Sequence, residues 1–361
     1  MGIRGIPANY GGFETFAEAL SERLVKRGHD VTVYCRSHNS DYVEPTYKGV
    51  RLVILPTIRH KYFDTVAHTF LCAVHSLKEH YDAILICNSA NSYISFLPRL
   101  VGTKVALNVD GLEWQRAKWN RIGKLFYRFS EWLATFLPDV IVSDAGMIER
   151  YYRKKFRKSS FYIPYGFRPE VDKGTDILKN FGLEPERYVL YVSRLEPENN
   201  AHRVIEAFEK VQTDLNLVIV GDAPYNQDYI ASLKSTKDER IVFTGYVFGR
   251  GYRQLQSNAY FYVQATEVGG THPALVEAMG FGNCILANDV PEHREVLGDT
   301  GLFFRVHDVD DLAQKMQYLL DHPEIIERYR KMARKRAVEK YSWDAVTRNY
   351  EKLFLKMTRR F

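Results

Sequence analysis

A chain of 361 residues, 45% hydrophobic and 26% charged, is long enough for two ordinary globular cores, and its composition excludes a disordered or fibrous protein. A net charge of +6 favours an anionic ligand or an anionic membrane surface and is too small to argue for nucleic acid. Cys35, Cys72, Cys87 and Cys284 have neither disulfide nor metal spacing, no uninterrupted apolar run can span a bilayer, and the N-terminus lacks a signal-peptide pattern, so a reducing cytoplasmic setting is expected.

After Met1 the chain reads GIRGIPANYGGFETFAEAL. Two glycine turns precede a helix expected from about Phe13 to Arg27, stopped by Gly28, with Thr15 and Glu18 as a capping-box pair near its start. A glycine-rich loop opening a helix can cradle a phosphate, which singles out Gly11 and Gly12. Such a loop normally follows a strand and here none precedes it, so the first, central strand of the sheet is expected to be missing from this sequence.

Apolar runs at 31–35, 50–55, 83–88, 104–109 and 139–143, most of them separated by helical patterns, imply parallel strands covered on both faces. Asn88, Ser89 and Asn91 fall at one strand end, and Asn108, Asp110, Gly111 and Glu113 at another, where ligands sit in such folds and where plain turn formers also occur. From Trp114 to Leu137, Arg116, Lys118, Arg121, Lys124 and Arg128 interleave with Trp114, Trp119, Phe126, Tyr127 and Trp132. That pattern fits a helix lying in an anionic membrane interface, and equally a surface helix packing its aromatic side on the domain.

At 163–174 Pro, Gly and charge mark a domain boundary. A second strand–helix series follows, with strands at 188–194, 215–221, 241–247, 259–265 and 284–289, and a last helix from Trp343 to Met357. The stretch EVGGTHPALVEAMGFG, Glu267 to Gly282, reads as a glycine turn and a helix start. Gly269 and Gly270 allow close backbone approach, Thr271 or His272 can cap, Pro273 suits the first helical position and Gly282 the end. Its free N–H groups and dipole suit a phosphate, although many capped helices bind nothing. Two doubly wound domains joined by a short linker imply a cleft at the strand ends, with Arg194, Gly245 and Tyr246 on its second-domain side and Asp110 with the Gly11–Gly12 turn on the first.

Through GIRGIPANYGGFETFAEAL, NVDGLEWQRAKW, SRLEPENN, FTGYV and GGTHPALVEAMGFG, the chain resembles GT-B glycosyltransferases of family 4, in particular bacterial rhamnosyltransferase-like enzymes with a DUF1972-type N-terminal domain. The resemblance covers essentially the whole chain. It implies an α/β protein of two Rossmann-like doubly wound parallel-sheet domains facing a cleft. Residues 1–168 would form the acceptor-side domain and 169–340 the nucleotide-sugar domain, with a helix at 341–361 crossing back to the first.

The resemblance further implies retaining transfer without a metal or other cofactor. Arg194 and the Gly270–Thr271 backbone would hold the donor diphosphate, Glu277 the ribose hydroxyls, and Gly245 and Tyr246 the base. Gly11, Gly12 and Asp110 would face the transferred sugar, and Glu113, Trp114 and Arg116 the acceptor. Asn199 stands where the wider family has a lysine, and Gly269 where it has a carboxylate, so Arg4 or His272 would share the phosphate charge. The expected partners are a nucleotide-diphosphate sugar, with dTDP-L-rhamnose the expected donor, a glycan or polyprenyl-linked acceptor, and an anionic membrane contacted peripherally. A binding module that has lost catalysis, and a nucleotide-sugar epimerase, are the alternatives.

Overall fold

The short apolar runs become strands and the longer periodic stretches become helices packed over them. The structure, a computed structural model, describes residues 1–9, 11–38, 42–58, 64–116, 119–167, 170–224, 226–267 and 271–358. The chain divides into two units: Met1–Gly166 with Trp343–Phe361, and Phe167–Ser342.

The first unit contains α1 (Gly12–Lys26), β1 (Thr32–Arg36), β2 (Thr46–Tyr47), β3 (Val50–Leu55), α2 (Asp64–Ser76) and β4 (Ala83–Cys87). It continues with α3 (Phe96–Arg99), β5 (Lys104–Asn108), α4 (Arg121–Ala134), β6 (Val140–Ser143), α5 (Gly146–Phe156) and β7 (Phe161–Tyr162). Its strands form two sheets, β1-β3-β2 and β4-β5-β6-β7, parallel except where β2 meets β3. No strand precedes α1 among the described residues. Instead, the segment Met1–Arg4 runs between the two sheets. The Met1 ammonium donates to the Leu85 carbonyl at 2.9 Å, and the Cys87 N–H donates to the Met1 carbonyl at 3.0 Å. On the other side the Arg36 N–H donates to the Arg4 carbonyl at 2.8 Å. One apolar core, with Ile3, Ile6, Phe16, Val33, Leu52, Cys87 and Val142, spans both sheets, so the expected gap is bridged at the strand ends.

The second unit contains α6 (Asp176–Asn180), β8 (Tyr188–Val192), α7 (Ala201–Glu209), β9 (Asn216–Val220), α8 (Gln227–Leu233), β10 (Ile241–Gly245) and α9 (Gly249–Ser257). There follow β11 (Phe261–Gln264), α10 (Pro273–Phe281), β12 (Ile285–Asn288), α11 (Pro291–Leu297), β13 (Leu302–Phe304), α12 (Val309–Asp321) and α13 (Pro323–Tyr341). The strands run parallel in the order β10-β9-β8-β11-β12-β13. Being covered on both faces, they are almost continuously apolar, with β8 reading YVLYV. Helices α7 and α12 cover one face, while α9, α10 and α13 cover the other. The last helix, α14 (Trp343–Thr358), packs on α1 within the first unit, where Glu351 binds Arg27 and His29. All four cysteines are free and buried.

One local expectation fails. The capping box of Thr15 and Glu18 does not form, because α1 begins three residues before Thr15, at Gly12, and Thr15 bonds back to the Gly11 carbonyl. Glu18 instead accepts the Ala8 N–H at 2.9 Å.

Candidate functional site

The strand order of the second unit locates its site. From β8 the chain moves outward through β9 to β10, then returns to the other side of β8 at β11. Where the winding reverses, loops leave adjacent strands in opposite directions and open a crevice at the carboxyl ends. The loop after β8 carries Arg194, and the loop after β11 leads to α10. These two loops are tied together. The Glu267 N–H donates to the Glu198 carbonyl at 3.2 Å, and Asn200 Nδ2 donates to the Ala265 carbonyl at 2.9 Å and to Glu267 Oε1 at 2.5 Å.

Arg194 is 30% exposed, and its guanidinium lies 3.9 Å from Glu196 Oε1. Asn199, the residue expected near the phosphates, turns its Nδ2 to the Arg194 carbonyl at 2.7 Å and is buried. It therefore holds the arginine's loop in shape. Gly221, just past β9, has φ +140, and a Cβ there would lie 1.8 Å from the Ser193 carbonyl oxygen. Only glycine lets the ends of β8 and β9 come this close. The Asp222 carbonyl then accepts both the Leu195 N–H at 3.2 Å and the Tyr246 hydroxyl at 3.0 Å. Gly245 ends β10, which is separated from β8 by β9; its carbonyl accepts the Gly221 N–H at 2.9 Å, and Tyr246 is tied to the arginine's loop through the Asp222 carbonyl.

Helix α10 begins as its residues require. His272 is the N-cap in extended conformation, its ring does not cap the helix, Pro273 opens the first turn, and Gly282 closes the helix at φ 83. Thr271 is buried. Gly269 and Gly270 lie outside the described residues. The first turn of α10 holds no acidic residue to oppose an anion at its positive end. The His272 ring packs edge-on to His293 with centroids 5.0 Å apart, and burial pulls His293 down to about 4, keeping it neutral. Glu277 accepts the Tyr252 hydroxyl at 2.8 Å, and Gln256 Nε2 in turn donates to that hydroxyl at 2.9 Å. Burial pushes the Glu277 carboxyl up to about 7 against the lowering effect of the Tyr252 bond.

In the first unit, Gly11 is the extended N-cap of α1 at φ −167, and a Cβ there would meet only Glu14 Oε2 at 3.5 Å. Gly12 starts the helix and is exposed. Glycine is demanded earlier. Gly2 has φ +83 with the Cys87 carbonyl 2.3 Å from where a Cβ would be, and Gly5 has φ +134 against Cys35. Buried Glu14 accepts the Arg4 N–H at 2.8 Å, and burial holds its carboxyl above the usual range. Asp110 follows β5 in the left-handed conformation, φ 56, with its N–H donating to Asn108 Oδ1 at 3.0 Å. Asn108 also donates to the Tyr350 hydroxyl at 3.2 Å, so α14 helps to orient this strand end.

Glu113 and Arg116 are both buried and paired at 2.5 Å, and Trp119 Nε1 donates to the same carboxylate at 3.2 Å. They brace the turn after Asp110. Trp114 is half-buried beneath the Arg128 guanidinium, 4.5 Å from its ring centroid. Glu14, Gly221 and Tyr252 carried no signal in the sequence, whereas Asn108 was marked by its place at a strand end.

The described residues contain no group of three or more His, Cys, Asp or Glu side chains able to hold a metal, and no helix long and apolar enough to cross a membrane.

Comparison with known proteins supplies the wider frame. Residues 175–336 match the family described as glycosyl transferases group 1, and residues 1–168 match a domain of unknown function, DUF1972. The chain is 22% identical over 254 residues to the N-acetylgalactosamine-N,N'-diacetylbacillosaminyl-diphospho-undecaprenol 4-alpha-N-acetylgalactosaminyltransferase of Campylobacter jejuni, covering 68% of this chain and 69% of that one. It is 25% identical over 209 residues to O-antigen chain mannosyltransferase B of Escherichia coli, covering 55% of this chain and 52% of the relative. Among solved structures, sucrose-phosphate synthase from Thermosynechococcus elongatus superposes with a TM-score of 0.80 at 19% identity over 97% of this chain and 96% of that one. Anabaena HepE in complex with UDP superposes with a TM-score of 0.76 at 14% identity over 98% of each chain. The fold is GT-B.

Proposed function

We propose, from the match of residues 175–336 to the group 1 glycosyl transferases, that the chain is a glycosyltransferase that moves a sugar, with L-rhamnose from dTDP-L-rhamnose as the leading candidate, onto a surface glycan or polyprenyl-linked acceptor. One observation carries this reading: the sheet of the second unit reverses its winding between β8 and β11, and the loops after those two strands bring Arg194 and the acid-free start of α10. A guanidinium and a helix N-terminus suit the two phosphates of a nucleoside diphosphate.

In this reading the transfer is metal-independent and retains configuration at the sugar, as in family 4. The acceptor hydroxyl oxygen bonds to the anomeric carbon on the face from which the diphosphate leaves, and its proton passes to a leaving phosphate oxygen. Arg194 and the N–H groups about Gly270 and Thr271 stabilise the charge that grows on the diphosphate, and such fixed donors are usually the largest catalytic contribution. Glu277 accepts the ribose hydroxyls, Gly245 and Tyr246 face the base, and His272 lies beside the phosphates. Asp110 contacts the transferred sugar beside Gly11 and Gly12, and Trp114 borders the acceptor while Glu113 and Arg116 brace the turn. The protein works at the cytoplasmic side of an anionic membrane and touches it peripherally.

Incubation of the purified protein with activated sugars and lipid-linked acceptors tests the reading. Release of nucleoside diphosphate together with a glycosylated acceptor is expected, and absence of release from every activated sugar overturns it. Asn199 motivates a second reading, because its amide holds a main-chain carbonyl where a lysine would supply a charge. A donor-binding module without catalysis would show calorimetric nucleotide-sugar binding and no turnover, and an epimerase would change the donor sugar with no acceptor present.

A further inference from the structure

The stretch 114–137 left two options open, and the structure decides which side of α4 is buried. Tyr127, Ser130, Glu131 and Ala134 face the domain. The opposite side is apolar and open to solvent. Ile122 (78% exposed), Leu125 (69%), Phe126, Phe129 (53%), Trp132 (50%) and, just past the helix, Phe136 recur at i, i+3, i+4, i+7, i+10 and i+14. Phe126, Phe129, Trp132 and Phe136 are therefore not packed on the core, whereas Tyr127 is. Phe129, Trp132 and Phe136 pack on one another, with successive centroids 5.6 Å and 4.7 Å apart.

The exposed stripe does not stand alone. Arg99 at the end of α3 donates to the Leu137 carbonyl at 2.5 Å, and Ser92 donates to the Ser130 carbonyl at 2.7 Å, so α3 and the turn before it lie beside α4. Phe96 and Leu100 are exposed there. On the far side Tyr93 donates to the Val66 carbonyl of α2 at 2.9 Å, and α2 exposes Phe70 and Val74. Exposed apolar groups thus occur on three neighbouring helices of one unit, a larger array than an isolated surface Leu or Phe and one that calls for an occupant.

Charge identifies the occupant. Within residues 64–78 and 89–137 the only acids are Asp64, Asp110, Glu113 and Glu131, of which three are buried and Asp110 is half-buried. Arg121 and Arg128 are exposed and Lys124 half-exposed along α4. A second copy docked through this face would bring cations against cations with no exposed acid to meet them. An anionic bilayer meets both needs, since aromatic and aliphatic groups sink below the headgroups while Arg and Lys stay among the phosphates.

We propose that α2, α3 and α4 of the first unit form a composite face that docks the protein on an anionic lipid bilayer, with the Ile122–Phe136 stripe inserted and Arg121, Lys124 and Arg128 at headgroup level. This deepens the transfer reading by placing the protein where a polyprenyl-linked acceptor lies, and it rests on that reading only for the acceptor. Vesicle binding is measured with neither donor nor acceptor, so its failure and the failure of transfer are separate results.

The test is co-sedimentation with vesicles of phosphatidylcholine containing phosphatidylglycerol, and with phosphatidylcholine alone, using wild type, Phe129→Glu with Trp132→Glu, and Arg121→Glu with Lys124→Glu. These side chains point outward, so unchanged circular dichroism and melting are expected of both variants. Wild type should bind the anionic vesicles, and more weakly at 1 M salt, where the screening length falls from about 10 Å to about 3 Å. Each variant should lose at least about tenfold in partition. Wild type that stays in the supernatant at low salt overturns the proposal, as does an aromatic variant that sediments like wild type. A wild-type dimer that the aromatic variant turns into monomers, without vesicle binding, also overturns it and assigns the face to a second copy.

Discussion

The Tyr252 hydroxyl donates to Glu277 Oε2 at 2.8 Å, joining α9 to α10 beside the proposed ribose site. Burial raises the Glu277 carboxyl to about 7 and this bond opposes the rise. Between the ordinary carboxylate value and about 7 the folded protein holds a proton that the unfolded chain has released. Stability is therefore fully present below that window and declines as pH rises through it. With allowance for partial exposure, the decline is about 2 kcal/mol. Melting followed from pH 4.5 to 7.5 should show a downward slope that Glu277→Gln removes. Tyr252→Phe should move the slope to higher pH.

Gly221 and Gly11 are both loop glycines, one in each unit, and they differ physically. A methyl group at Gly221 lands on the Ser193 carbonyl, and the backbone there is left-handed. Gly221→Ala should cost on the order of 3 kcal/mol and lower the melting temperature of the second unit by on the order of 5–10 °C. Gly11→Ala, at an extended residue with room for a methyl, should change stability by less than about 0.5 kcal/mol. Loss of transfer in Gly11→Ala without loss of melting temperature would tie the residue to the donor sugar.

The Glu113–Arg116 pair is buried, so breaking it strands a charge. Arg116→Met should destabilise the first unit by about 3–5 kcal/mol, while Glu113→Gln with Arg116→Met should recover most of that loss. Chemical denaturation of the two single variants and the double variant measures the coupling. Simple additivity would remove the pair from the structural account.

The parts of this protein that could be read in its sequence are those set by neighbours along the chain. Pro273 and Gly282 punctuate α10 because proline fits only a first turn and glycine closes a helix in the left-handed conformation. Runs such as YVLYV announce strands covered on both faces. Strand β13, three residues long, and β7, two residues long, are too short to leave a period. The glycines that geometry demands, Gly2, Gly5 and Gly221, are fixed by Cys87, Cys35 and Ser193, most of them far away in the chain. Gly11 drew attention by its motif, yet its own conformation does not require glycine. Tyr252 was hidden because nothing local links it to Glu277. Asn199 fell within a recognised motif, but the direction of its amide, back to the Arg194 carbonyl, is a matter of three dimensions. The exposure of the Ile122–Phe136 stripe likewise follows from which side of α4 meets the core.

Arg194 is the group proposed to bind the donor diphosphate. Arg194→Ala should lower kcat/KM by on the order of a hundredfold, about 3 kcal/mol, and Arg194→Lys should recover only part of it, since an ammonium cannot reproduce the bidentate fork. The most direct measurement is calorimetric titration of the nucleoside diphosphate of the active donor into wild type and Arg194→Ala. Binding by the wild type that weakens at least tenfold in the variant is the predicted result; equal affinity in the two proteins would contradict it.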